Sequence, residues 1–84
     1  MKEENSVILM RDYGCISYHF NEVMDAKKIS RNKLATLTGI RFEVANRLYN
    51  GTIERMDMDI LARVCFALDC EISEVLHYNK ITTQ

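Results

Sequence analysis

The chain has no proline, no tryptophan and only three glycines, Gly14, Gly39 and Gly51. Without proline, no helix interior loses a backbone donor or takes a ring clash. Because glycine is confined to three places, the chain has few points where it turns cheaply through positive φ. Both scarcities favour an all-helical domain with short turns. Long apolar runs are also missing. None approaches the roughly 20 residues that span a bilayer. The N-terminus begins Met-Lys-Glu-Glu, and its longest apolar stretch is Val7 to Met10. That is too short and too acidic for a secretory signal, so a cytoplasmic protein with no membrane association is expected.

Catalytic and metal chemistry are poorly provided for. Cys15, Cys65 and Cys70 form an odd set with no Cys-x-x-Cys spacing. Cys15 and His19 could bind a metal only if a second pair, such as Cys70 and His77, came close. Unliganded thiols in a reducing compartment are the expected state, with no metal and no other cofactor. Cys65 falls on an apolar helical stripe, where cysteine acts as a small hydrophobe. No nucleophile clusters with a base and an orienting group. No glycine-rich phosphate loop is present. Asp57 and Asp59 lie at a helix start, where capping and the helix dipole account for acids. The chain therefore does not read as an enzyme.

Eighty-four residues make one small domain with a thin core, for which self-association would add stability. The net charge of −1 gives no overall attraction to nucleic acid. Its distribution does. Lys27, Lys28, Arg31, Lys33, Arg41, Arg47 and Arg55 face only Glu43 and Glu54 within that stretch, and the acids elsewhere outnumber the bases. A basic face on an acidic domain attracts phosphates at short range.

The organising stretch is RNKLATLTGIRFEVANRLYN, residues 31–50. Leu34 and Ala35 share one helical face, Gly39 interrupts, and Ile40, Val44, Ala45 and Leu48 resume the apolar pattern. The spacing predicts two short helices around a glycine turn. Ser30 is placed to cap the first, and Gly39 to end it in the left-handed region. Ala35 is small where the pair would cross. A tight pair of this kind is a helix-turn-helix, whose second helix can enter a DNA major groove.

On these residues the chain resembles the Cro/repressor-type (XRE family) helix-turn-helix DNA-binding domain. Ala35, Gly39, Ile40, and Leu48 followed by Asn50-Gly51 stand where that family's motif has them. MDMDILARVCFALDCEISEVL is similar to its last two helices. The resemblance runs from about Phe20 to Leu76. The chain departs from the pattern at Thr38, where an apolar residue is usual, at Ala45, where a larger aliphatic is usual, and at Thr52 and Ile53, where basic residues are common. The resemblance implies an all-α, five-helix, lambda-repressor-like fold that binds double-stranded DNA as a transcriptional regulator, commonly a repressor and a homodimer. A protein-interaction module of the same fold, antitoxin-like or an anti-repressor, is the alternative. No small-molecule effector is legible.

By position in the motif, Phe42, Glu43 and Arg47 would read bases. Arg47 suits guanine O6 and N7, Glu43 a cytosine amino group, and Phe42 a thymine methyl. Phe42 could equally pack against the arm or a dimer partner, and Glu43 could pair with Arg47 one turn on when DNA is absent. Arg31, Lys33, Arg41 and Asn50 would hold phosphates.

The remaining elements are read from pattern. Residues 1–15 form an N-terminal arm, 16–78 the helix-turn-helix domain, and 79–84 a C-terminal tail. A hairpin of residues 7–10 with 15–19 is possible, because Ile16, Tyr18 and Phe20 alternate with polar residues. Such a hairpin needs a surface to lie on, its own domain or a dimer partner. A first helix is expected over 21–28, capped by Asn21, with Lys27 and Lys28 complementing its dipole. Asp57 should cap a helix over 58–68, and a brief last helix should include Ile72, Val75 and Leu76. Residues 77–84 would trail or return beside the arm.

Overall fold

Leu34, Ala45, Leu48, Leu61, Val64, Leu68 and Val75, with Phe20, Met24 and Ile40, form one buried cluster. Every helix contributes to it. The computed structural model describes residues 13–81. In chain order the elements are β1 (Cys15–Tyr18), α1 (Phe20–Ala26), α2 (Arg31–Thr38), α3 (Phe42–Asn50), α4 (Met58–Leu68), α5 (Ile72–Val75) and β2 (Leu76–Asn79). The architecture is the expected five-helix domain, with one short strand pair joining its two ends.

The strands pair antiparallel, Cys15 opposite Asn79 and Tyr18 opposite Leu76. The His19 N–H continues the ladder by donating to the Val75 carbonyl at 2.8 Å. Strand β1 thus pairs with residues directly after the last helix, and residues 76–79 return beside it. Residues 7–10, the other half of the hairpin considered above, lie outside the described residues. Leu76, expected in the last helix, opens β2 instead: its φ of −134° and ψ of 129° are extended. Its side chain still packs on the core. A two-stranded ladder is marginal alone, and here Tyr18 ties it to the domain by donating its hydroxyl to the Ile53 carbonyl.

Helix α1 runs 20–26, not 21–28. His19 precedes it without a side-chain cap, so Asn21 is not the cap. Its end lies two residues earlier because Lys28 turns left-handed, with φ of 59°. The Ile29 N–H then donates to the Met24 carbonyl at 2.9 Å, closing the helix end as a six-residue turn. Lys27 does not serve its own helix. Its ammonium donates to the carbonyls of Leu68 and, at 3.0 Å, Asp69, at the C-terminus of α4. That cap places a cation on the negative end of a different helix. Asp57 caps α4 as expected, accepting from the N–H groups of Asp59 at 2.8 Å and Ile60 at 3.2 Å.

Candidate nucleic-acid interface

The helix-turn-helix is built by local hydrogen bonds that its sequence dictates. The Ser30 hydroxyl accepts from the Lys33 N–H at 3.0 Å and starts α2. At the other end Gly39 adopts φ of 76° and ψ of 12°, and its N–H donates to the Ala35 carbonyl at 2.8 Å. Thr38, the polar departure from the motif, is buried yet satisfied. Its hydroxyl donates to the Leu34 carbonyl at 2.7 Å and accepts from the Ile40 N–H at 3.4 Å. Arg63, from α4, fastens the turn from outside by donating to the Thr38 carbonyl at 3.2 Å. Arg41 then begins α3, and Gly51, at φ of 71°, ends it just after Asn50.

Helix α3 buries Ala45 and Leu48 and half-buries Val44 and Tyr49. Ala45 is completely enclosed, so the small residue lets α3 approach its neighbours closely. The opposite face is open. Phe42 keeps 46% of its surface exposed, and Glu43, Arg47 and Asn50 are exposed with it. All four project from the side the core does not use, as an i, i+4 series on a helix must. Arg41 is free of the core, and its nearest charged partner is Glu43, Nη1 to Oε2 at 3.9 Å. Glu43 therefore pairs backwards with Arg41, and no ion pair of Glu43 with Arg47 occurs among the described residues. A shallow cleft of about 540 Å³ separates Arg47 and Val44 from the loop carrying Thr52, Ile53, Glu54 and Arg55.

The first turn of α2 holds no acidic residue but carries Arg31 and Lys33. A helix N-terminus is already electropositive, so two cations there concentrate positive potential beside α3. Arg31 is tied to α3. Its Nη1 donates to Asn46 Oδ1 at 2.6 Å, and its guanidinium lies over the Tyr49 ring, 5.2 Å from the centroid. Tyr49 in turn donates its hydroxyl to the Asp25 carboxylate at 2.9 and 3.1 Å. That hydrogen bond, with desolvation and the carboxylate charge, holds the phenol above its ordinary pKa, and Arg31 opposes the shift. Asn46 and Tyr49 are not among the site residues expected from the sequence. Spacing was the available signal for Asn46, four residues after Phe42 and four before Asn50.

Other chemistries find less. His19 and His77 stack with centroids 3.9 Å apart, and His19 Nδ1 lies 3.0 Å from Glu22. Among the described residues, no three of His, Cys, Asp and Glu converge as metal ligands. No described helix is long and apolar enough to cross a membrane.

A buried core under two short packed helices joined by a glycine turn, an open face on the second, and cations at the start of the first define a helix-turn-helix DNA-binding domain. Residues 19–80 match the family model of the Cro/C1-type HTH DNA-binding domain. The match covers most of the chain, and the protein belongs to that family. No curated protein matches the sequence.

Proposed function

We propose that this protein is a sequence-specific transcriptional regulator, a repressor, that binds double-stranded DNA as a homodimer. It works in the cytoplasm, without a cofactor and without catalysis. The observation that carries the reading is the open face of α3, where Phe42, Glu43, Arg47 and Asn50 are free of the core. Arg47 donates to guanine O6 and N7, Glu43 accepts from a cytosine amino group, and Phe42 covers a thymine methyl. Arg31 and Lys33 at the start of α2, Arg41 before α3 and Asn50 at its end hold phosphates and fix the register. The domain boundaries follow the same reading: residues 1–15 as arm, 16–78 as the binding domain and 79–84 as tail.

Two such domains related by a two-fold axis would place their α3 helices about 34–36 Å apart and read half-sites one DNA turn apart. The thin core, together with the apolar stretch Val7 to Met10, supports self-association. Selection from a random DNA pool at two salt concentrations tests the function. An enriched near-palindrome is the expected result. Binding that never distinguishes sequences would favour the protein-interaction module instead. Sedimentation with and without the selected DNA tests the dimer, and a chain that stays monomeric on the site would refute it.

A further inference from the structure

The geometry points to Asn46 as a base-reading residue whose amide is fixed by Arg31, so that it offers hydrogen-bond donors and selects guanine over adenine. This inference rests on the reading of α3 as the recognition helix.

Asn46 lies between Phe42 and Asn50 on the open side of α3, one turn from each. Its side chain is half-buried because Arg31 reaches it from α2. A guanidinium has only donors, so the 2.6 Å contact can be made only by the amide oxygen. The orientation of this amide is therefore set by chemistry. Oδ1 faces Arg31 and α2, and Nδ2 faces the other way. Among the described residues nothing accepts from Nδ2, and its two hydrogens are available to a ligand.

The clamp has a support. The Arg31 guanidinium sits over the Tyr49 ring. Tyr49 is anchored in turn by its two-oxygen contact with Asp25 of α1. Asp25 and Tyr49 therefore hold Arg31, and Arg31 holds Asn46. Arg31 becomes a positioning residue for Asn46 as well as a phosphate ligand. Only Nη1 is committed to Asn46, and the remaining guanidinium hydrogens can still meet a phosphate.

The consequence for readout is directional. A freely rotating asparagine pairs best with adenine, accepting from N6 and donating to N7. With Oδ1 turned toward Arg31 and one of its two lone pairs taken, acceptance from adenine N6 is weakened. The donating edge is best met by guanine, whose O6 and N7 are both acceptors, and is poorly met by cytosine, which presents an amino donor. Releasing Oδ1 should therefore shift preference at one base pair from guanine toward adenine. General phosphate binding has no reason to produce such a shift.

The test is binding of the wild type, Asn46→Ala, Arg31→Ala and Arg31→Lys to the selected site and to all its single-base variants, with thermal melts of each protein. Asn46→Ala identifies the base pair by flattening selectivity there, with a loss of about threefold to tenfold, the worth of one net hydrogen bond. Arg31→Ala should reduce the guanine preference at that same pair and raise adenine, beyond any loss common to all sequences. Arg31→Lys, which keeps a donor for Oδ1, should keep guanine ahead. The inference is overturned if Arg31→Ala weakens every sequence by one factor and leaves that pair's preference intact. It is also overturned if Asn46→Ala changes no preference. A wild type that discriminates no sequence overturns the DNA reading itself, which separates the two failures.

Discussion

Replacing Gly39 isolates the conformational demand of the turn. At φ of 76° and ψ of 12° the residue is in the left-handed region. A Cβ built there meets nothing closer than Arg63 Nη1 at 3.9 Å, so steric contact contributes nothing and the cost lies in the backbone. A β-branched residue at this φ is strained by about 1–3 kcal/mol. Losing glycine's freedom in the unfolded chain returns about 0.4–1 kcal/mol. Gly39→Val should therefore destabilise by about 1–2 kcal/mol. For a domain of this size each kcal/mol lowers the melting temperature by about 4–8 °C, which gives a drop of about 5–15 °C. Asparagine tolerates the left-handed region, so Gly39→Asn should lose less than half as much. Circular-dichroism melts of the three proteins decide it. A valine variant that melts with the wild type would refute the conformational argument. An asparagine variant as weak as valine would show that the cost has another origin.

Two further outcomes follow from the same backbone and burial. Lys28, at φ of 59°, ends α1 in a conformation that suits glycine, so Lys28→Gly should raise stability by about 0.5–1 kcal/mol in urea unfolding, despite glycine's freedom in the unfolded chain. A lower midpoint would mean that the lysine side chain contributes more than its strain costs. The Cys70 thiol is pushed up to about 11 by burial and by neighbouring Cys65, so it stays protonated near neutral pH. Cys15 is exposed. Iodoacetamide at pH 7.5, read by mass spectrometry, should therefore label Cys15 well before Cys70. Equal rates would refute the burial argument.

Local signals carried most of the fold. Ser30, Gly39 and Asp57 act within three or four residues of themselves, so their caps were legible, and with them the bounds of α2, α3 and α4. The apolar period placed Leu34, Ala45, Leu48, Val64 and Leu68 inside. What escaped was non-local or unmarked. The alternation of Ile16 and Tyr18 marked the first strand, but its pairing with Leu76–Asn79, about sixty positions on, is non-local, and the pattern left open whether those residues trail or return. The early end of α1 depends on a lysine in a conformation that glycine usually signals. Lys27 looked like a cap for its own helix because its partner, the end of α4, lies 41 residues on. At the interface, the open positions Phe42, Glu43 and Arg47 were expected from their place in the family's motif. The link from Arg31 to Asn46 crosses between helices, and no pattern within α3 announces it.

The central claim is that α3 reads bases, and Arg47 tests it most directly. Its side chain is exposed and carries none of the core, so Arg47→Ala should melt like the wild type. Binding of both proteins to the selected site and its single-base variants, measured across a salt series, separates base readout from phosphate contact. Arg47→Ala should lose about 1–3 kcal/mol on the selected site and relax choice at one base pair. If Arg47→Ala binds every sequence as the wild type does, α3 does not read DNA.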